Sequence, residues 1–306
     1  MNKIAQNILA FVFFSAIFPP AIAFSQNHST PIARTDGKPA DMTKPVQVFL
    51  LLGQSNMVGL GKVAGSEISL EHAVKEKKKY QYLVNPMGGW VERKDVRYAQ
   101  YMSGRGPLRN EWMAVKGNNL GPEYGIGHSL GNAIEAPVLI LKCCIGNRAL
   151  GWDLLPPGSE RREFITKDAK GVEKKFVYAG YKDKPEFWEM DPAKGLKTEP
   201  APWLDKNGKL IDWYAGKQWD FDIGDAKKAL GDLEKHYPGA KGVEVKGFFF
   251  WQGERDGGND GHAAPATPNG PARVVGNGHY GGKAEVYMDV GEAMGLAMID
   301  LLKKSK

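Results

Sequence analysis

The chain has 306 residues, of which 42% are hydrophobic and 25% are charged. This length and composition fit one globular domain and exclude a disordered or fibrous protein. The formal net charge is +6, but basic and acidic residues are interspersed, and no Lys/Arg tract alternates with aromatic residues. Nucleic acid is therefore not an expected partner.

The N-terminal residues have the organisation of a secretory signal peptide. Lys3 precedes an apolar run over residues 8–14, which is followed by Pro19-Pro20 and the small-residue site Ala21-Ile22-Ala23. We expect residues 1–23 to be a signal peptide and residues 24–44 a flexible polar leader, which makes the protein secreted or periplasmic. The run is too short for a good membrane span, so no stable membrane insertion is expected after cleavage. An uncleaved anchor is the alternative.

The remaining chain, residues 45–306, alternates strand and helix patterns. Short apolar runs predict buried parallel strands at Val46 to Leu52, Val138 to Leu141 (or on to Ile145) and Val243 to Trp251. Helical periodicity is found at Glu123 to Ile134, Asp220 to Tyr237 and Ala284 to Lys303. This order predicts an α/β fold: a single, doubly wound, three-layer α/β/α domain with a mostly parallel sheet, whose ligand chemistry lies at the carboxyl ends of the strands.

Residues 150–219 interrupt that alternation and are rich in proline, lysine and aromatic residues. We interpret them as one long insertion over the sheet edge. Their Trp and Tyr side chains either stack on sugar rings or form a small core of the insertion itself. The two cysteines, Cys143 and Cys144, are adjacent in an apolar run, which predicts buried thiols and no disulfide. No cluster of residues has metal-ligand spacing, and no cofactor is expected.

Polar residues follow two of the predicted strands. The first strand runs into Gly53-Gln54-Ser55-Asn56-Met57, which presents a serine hydroxyl at the sheet edge. Taken alone, a serine in this position is more often a turn residue or helix N-cap than a nucleophile. The third strand runs into Gln252-Gly253-Glu254-Arg255-Asp256, which brings an amide, two carboxylates and a guanidinium to the same edge. Such groups can stabilise an oxyanion or orient a histidine, or they can form an ordinary polar loop.

A histidine near the C-terminus completes the set of reactive groups. His279 lies in the glycine-rich segment Asn277-Gly278-His279-Tyr280-Gly281, directly before the last predicted helix. Glycines on both sides give it the freedom to reach a neighbouring strand end. By itself, a histidine in this position is more often a surface or capping residue than a general base.

The order of these motifs resembles one branch of the SGNH hydrolases, that of the sialate O-acetylesterases and acetylxylan esterases, which includes the family-six carbohydrate esterases. The resemblance is carried by Gly53-Gln54-Ser55-Asn56-Met57, by Trp251-Gln252-Gly253-Glu254 and by the late His279, and it covers most of the chain apart from the leader and the insertion. It implies a serine esterase with an acetylated carbohydrate as its substrate. Ser55 would be the nucleophile and His279 the general base. The Ser55 N–H, Gly146 and the Gln252 side chain would form the oxyanion hole, and the residues expected to contact substrate are Gln54, Asn56, Asn147 and Arg255.

Two features depart from the pattern of this family. Many SGNH enzymes have an aspartate three residues before the histidine, where this chain has Gly276. The orienting acid is then Glu254 or Asp256, or the site works as a dyad. In addition, the segment between Asp256 and His279 is rich in Gly, Pro and Ala, and it is too short for the strand and helix that the fold ordinarily places there. Either the sheet lacks an element or the chain carries a deletion.

These departures leave two classes of function open. The leading hypothesis is a carbohydrate O-acetylesterase, and the alternative is a carbohydrate-binding protein on the same scaffold that has lost turnover. A lipase or thioesterase would need an apolar acyl pocket, to which nothing in the sequence points. The distance between Ser55 and His279 discriminates the first two hypotheses.

Overall fold

The computed structural model of the chain describes residues 38–102, 106–167, 170–183, 187–189, 207–209, 212–252 and 278–305, within one compact unit, Pro31–Lys306. Its helices are α1 (Ser55–Val58), α2 (Leu70–Lys75), α3 (Glu123–Ala133), α4 (Lys217–Gly231), α5 (Leu233–His236) and α6 (Ala284–Lys304). Its strands are β1 (Val46–Gly53), β2 (Gly61–Lys62), β3 (Val96–Met102), β4 (Gly106–Trp112), β5 (Asn119–Leu120), β6 (Val138–Cys143), β7 (Arg162–Lys167), β8 (Glu173–Tyr178), β9 (Phe187–Glu189) and β10 (Val243–Trp251). A short 3-10 turn covers Gln81–Leu83, and a turn with left-handed backbone angles covers Gly278–Gly282.

The central feature is a five-stranded sheet of order β10-β1-β6-β3-β4. The pairs β1–β10, β1–β6 and β3–β6 are parallel, and β4 runs antiparallel to β3 at one edge. Strand β1 therefore lies inside the sheet, with β6 on one side and β10 on the other. The register pairs Gly53 with Trp251, so that β1 and β10 end side by side.

Alternating side chains of β1 and β6 feed two hydrophobic cores on opposite faces of this sheet. Phe49 and Leu51 belong to one core with residues of α3 and α6, and Val46 and Val48 belong to the other with residues of α4. Successive residues of a strand point to opposite faces, and a parallel sheet needs apolar cover on both. The prediction of a mixed α/β domain with a mostly parallel sheet flanked by helices is thus confirmed.

The predicted strands and helices differ from the structure in several respects. The strand pair β3–β4 was not predicted. The pattern from Asp220 to Tyr237 forms two helices instead of one, because the chain leaves helical geometry at Asp232, which has φ −122° and ψ 52°. Helix α4 also begins at Lys217, inside the segment predicted to be an insertion. The segment before α6 in which an element was predicted to be missing lies outside the described residues.

The insertion contains structure of its own. Strands β7, β8 and β9 form an antiparallel three-stranded sheet. A small separate core joins Trp152, which is 2% exposed, with Ala149, Ala179 and Ala215, and Trp213 packs against it. For these two tryptophans, the structure favours the second explanation, a core of the insertion itself.

The segment before β1 lies only partly within the described residues. The predicted signal peptide lies outside the described residues. Part of the predicted leader already packs on the domain, since Ala40 is buried and the Asp41 N–H donates to the Glu135 carbonyl at 3.2 Å.

Cys143 and Cys144 are both buried with free thiols, as their apolar context predicts. Burial raises the pKa of both thiols, which keeps them protonated near neutral pH.

Candidate active site

Ser55 stands at the carboxyl end of β1, where the strand turns sharply into α1. Gly53 ends the strand with φ 135°, Gln54 is the N-cap, and Ser55 is the first helical residue. The Gln54 N–H donates to the Trp251 carbonyl at 3.2 Å, which fixes the turn to the end of β10. The serine is partly buried. It therefore occupies the sheet edge where doubly wound domains bind their ligands.

His279 lies directly opposite this serine. The distance from its Nε2 to the Ser55 Oγ is 2.9 Å, and the two residues are 224 positions apart in the chain. This is hydrogen-bonding distance, within which an imidazole can take the proton of a serine hydroxyl. The histidine belongs to the turn Gly278–Gly282, which precedes α6, and is partly buried. The structure therefore brings together the two residues that the sequence analysis assigned as nucleophile and base.

The other two strand ends meet at the same place. Gly146 follows β6, and a Cβ built on it would lie 3.5 Å from the Ser55 Cβ, so its backbone stands against the serine. The next residue, Asn147, is exposed and has φ 58°. Gln252 follows β10 and is partly buried, and its Nε2 donates to the Arg148 carbonyl at 2.6 Å. The ends of β1, β6 and β10 are thus neighbours, with Gly146 against Ser55 and the Gln252 amide bonded to the segment that follows β6.

Two residues predicted to contact substrate are buried. Gln54 and Asn56 are each 1% exposed. The Asn56 Oδ1 accepts a hydrogen bond of 3.1 Å from the hydroxyl of Tyr287 on α6. The Asn56 bond holds α1 to α6, and the predicted contacts of both side chains with substrate stay predictions. Another residue predicted to contact substrate, Asn147, is exposed to solvent.

The charged residues predicted to act after Gln252 lie outside the described residues. They are Glu254, Arg255 and Asp256, and their predicted roles stay predictions. Within the described ranges, no group of three or more His, Cys, Asp or Glu side chains is arranged to hold a metal ion. In the same ranges, no helix has the length and apolarity needed to cross a membrane.

A buried ion pair beneath α1 was not predicted. The Lys142 ammonium donates to the carbonyls of Met57 and Val58 at 3.1 and 2.9 Å, and to the Glu123 Oε2 at 2.7 Å. The lysine side chain is 0% exposed and that of the glutamate 4%. A cation at the end of a helix that carries free carbonyls is stabilising. The signal for this contact was present in the sequence, as a lone lysine within an otherwise apolar strand.

Tyr287 is the second contact that the sequence analysis missed. Its hydroxyl lies 3.1 Å from the Asn56 Oδ1 and 3.3 Å from the carbonyl oxygen of His279. In the sequence it is one apolar position of the α6 stripe. Only the position of the helix relative to α1 reveals that this residue touches neighbours of both the nucleophile and the base.

Comparison with protein-family models, with curated proteins and with solved structures finds no match to the chain. A function for the chain therefore rests on its residues and their geometry.

Proposed function

We propose that the chain is a serine esterase of the SGNH type that removes O-acetyl groups from carbohydrates, like the sialate O-acetylesterases and acetylxylan esterases that its motifs resemble. The observation that carries this proposal is the 2.9 Å distance between the His279 Nε2 and the Ser55 Oγ. A serine and a histidine so far apart in sequence have no structural need to meet at the open edge of a sheet. A nucleophile and its base must meet there.

The first half of the proposed reaction is the transfer of the acetyl group to the enzyme. The Ser55 Oγ attacks the ester carbonyl carbon while the His279 Nε2 takes the hydroxyl proton. The C–O bond to the sugar then breaks, and the sugar oxygen receives that proton from the imidazolium. The products of this step are the free sugar hydroxyl and acetyl-Ser55.

The second half of the reaction is hydrolysis of the acetyl-enzyme. His279 takes a proton from water, and the hydroxide attacks the acetyl carbonyl. Collapse of the intermediate returns the proton to the Ser55 oxygen and releases acetic acid, which gives its own proton to the solvent and becomes acetate. Ser55, His279, the ester and water supply all the atoms and protons that the two half-reactions need.

The negative oxygen that forms in each step needs hydrogen-bond donors. The backbone N–H of Ser55, which opens α1, and the glycine backbone at Gly146 are placed beside the reacting serine. The Gln252 side chain, which follows the last residue of β10, brings an amide N–H donor to the same sheet edge. These three groups form the proposed oxyanion hole, and they come from the ends of three adjacent strands.

Export belongs to the same proposal. The apolar run over residues 8–14 and the site Ala21-Ile22-Ala23 support a secreted or periplasmic protein, where acetylated glycans are accessible. The sheet order β10-β1-β6-β3-β4, with the proposed nucleophile on the strand between β10 and β6, is compatible with an SGNH domain.

Replacement of the nucleophile tests the proposal. The purified chain should hydrolyse p-nitrophenyl acetate and should react with a fluorophosphonate probe at Ser55. In Ser55→Ala, we expect the rate of hydrolysis to fall about a thousandfold or more, because no other group would accept the acetyl group. Mass spectrometry of the labelled protein identifies the modified residue.

The matched control is Ser305→Ala, which removes an exposed hydroxyl that bonds the Leu301 carbonyl at the end of α6. This variant should keep both hydrolysis and labelling. Hydrolysis that survives in Ser55→Ala contradicts the mechanism. If the wild-type chain binds acetylated glycans but releases no acetate, the carbohydrate-binding alternative replaces the esterase.

A further inference from the structure

The turn that carries His279 has an unfavourable backbone conformation. His279 and Tyr280 have φ values of 60° and 52°, and Gly281 follows with φ 62°. For residues with a Cβ, the left-handed region is sterically disfavoured, and two such residues in succession persist only where their surroundings hold them. The position of the proposed base therefore depends on contacts made by the turn.

One hydroxyl group links this turn to the proposed nucleophile. The Tyr287 hydroxyl lies 3.1 Å from the Asn56 Oδ1 and 3.3 Å from the His279 carbonyl oxygen. Asn56 directly follows Ser55 in α1. The single hydroxyl proton is therefore shared between an acceptor next to the nucleophile and an acceptor on the base itself.

The tyrosine is well placed to hold both residues. It is 0% exposed and belongs to α6, a helix of 21 residues that packs against α3. Its ring contacts Trp251 at a centroid distance of 5.4 Å and Tyr280 at 6.1 Å. A buried side chain on a long, packed helix has little freedom to move. Contacts of this kind, made to the neighbours of reacting groups, keep those groups within a fraction of an ångström of the geometry that the reaction needs.

We propose that Tyr287 is a positioning residue that sets the distance between the Ser55 Oγ and the His279 Nε2. This inference rests on the proposed esterase function, and it adds a residue that the family resemblance did not supply. The tyrosine acts through its neighbours, Asn56 and the His279 carbonyl, and not on the substrate. Loss of its hydroxyl lets the strained turn relax, so that fewer molecules hold the serine and histidine in reacting geometry.

The variant Tyr287→Phe tests this role because it keeps the buried ring and removes only the hydroxyl. With p-nitrophenyl acetate, we expect kcat to fall about 10- to 100-fold while KM stays within about twofold, since small displacements of reacting groups cost that much. A kcat within about twofold of the wild type would overturn the proposal. A 10- to 100-fold rise in KM with no loss of kcat would likewise overturn the proposal, because that result would assign the hydroxyl to substrate binding.

Tyr80→Phe is the matched control. The Tyr80 hydroxyl also bonds α6, at the Asp289 carboxylate and the Glu285 carbonyl, but it contacts neither Asn56 nor His279. Both variants lose a tyrosine hydroxyl anchored on the same helix. Thermal unfolding measures any shared loss of stability, and only Tyr287→Phe should lose kcat. Equal losses of kcat in the two variants would make the effect a general consequence of loosening α6.

A double variant shows whether the tyrosine acts through the histidine. In a His279→Ala background, the residual rate should change less than about twofold when Tyr287→Phe is added, since the group being positioned is gone. The same fold-loss in both backgrounds would contradict a positioning role through His279.

An NMR measurement separates this inference from the proposed function. The ¹⁵N signals of the His279 ring, assigned by their loss in His279→Ala, report the contact with Ser55 whether or not the protein turns over an ester. They should shift in Tyr287→Phe and stay unchanged in Tyr80→Phe. If the wild-type chain shows no Ser55-dependent hydrolysis, the esterase proposal fails, and the ring signals alone decide the inference: a shift supports it and unchanged signals reject it.

Discussion

Gly53 shows how one residue permits the contact between β1 and β10 at the candidate site. Its φ is 135°, and a Cβ built on it would lie 2.2 Å from the Trp251 carbonyl oxygen. Any side chain here meets both an unfavourable backbone conformation and the neighbouring strand. The glycine before Ser55 was visible in the sequence as part of a motif. Its physical reason became visible only when Trp251, about two hundred positions later, was found beside it.

Gly53→Ala should therefore destabilise the fold by about 3 kcal/mol, the sum of a left-handed backbone penalty and a steric overlap. Gly65→Ala is the control, because Gly65 also has a positive φ, 85°, but a Cβ there meets nothing within 4 Å. We expect about 1 kcal/mol for the control, from the backbone penalty alone. Urea unfolding of both variants measures the difference, and equal losses would show that the approach of β10 imposes no constraint.

The residues of the site were predictable to different degrees. Ser55 and His279 could be singled out because the two strand-end motifs and the late histidine together resemble a known family, although each motif alone was ambiguous. The contact of Tyr287 with the candidate site could not be predicted, because a tyrosine in an apolar helical stripe has the same pattern whether its hydroxyl bonds a residue of the site or solvent. The predicted acids, Glu254 and Asp256, stay predictions.

Among the elements, strands with continuous apolar sequences were found and strands with mixed sequences were missed. The predicted bounds of β10 agree with the structure, and those of β1 and β6 differ from it only at their carboxyl ends. Strand β3 contains Arg97 and Gln100, which resemble surface residues but are buried. The Arg97 guanidinium donates to the His236 carbonyl at 3.0 Å and to the Asn110 Oδ1 at 2.8 Å, and the Gln100 Oε1 accepts from the Tyr98 hydroxyl at 3.0 Å. Both partners of Arg97 lie in other segments of the chain, so no pattern within β3 reveals them.

The helix α1 depends on the buried ion pair below it. Lys142→Met removes the donor to the Met57 and Val58 carbonyls and leaves the Glu123 carboxylate buried without its cation. We expect a loss of about 3–5 kcal/mol in the free energy of unfolding, as for other broken buried pairs. In Lys142→Met/Glu123→Gln the unpaired charge is absent, so part of the loss should be recovered. A double variant that is less stable than the single one, in denaturant unfolding, would contradict this account of the pair.

At the scale of the whole molecule, a buried histidine links stability to pH. His128 lies on α3 and is 4% exposed. Burial and the Arg93 guanidinium lower its pKa from the usual value of 6.5 to about 3. Its Nδ1 lies 3.4 Å from the Arg93 Nη1, its ring packs on Tyr82, and Asp95 binds the same guanidinium. The folded protein therefore keeps this histidine neutral in a range where the unfolded chain protonates it.

The folded state should consequently lose stability as the pH falls from about 6.5 to about 3, because the unfolded state binds the additional proton. The slope from this one group reaches about 1.4 kcal/mol per pH unit. His128→Asn keeps an acceptor for Arg93 and removes the titration, so its stability curve should be flatter over that range. Urea unfolding at several pH values measures both curves, and parallel curves would show that His128 does not carry the effect.

The position of β1 between two later strands has a consequence for the order of events during synthesis. His279 follows Ser55 by 224 residues, which a ribosome translates in roughly 10–45 s at about 5–20 residues per second. For most of that interval the apolar strand Val46–Gly53 has neither β10 nor α6 beside it. The nascent chain must be kept from aggregating during this time. Any chain that stops before residue 278 carries Ser55 without His279.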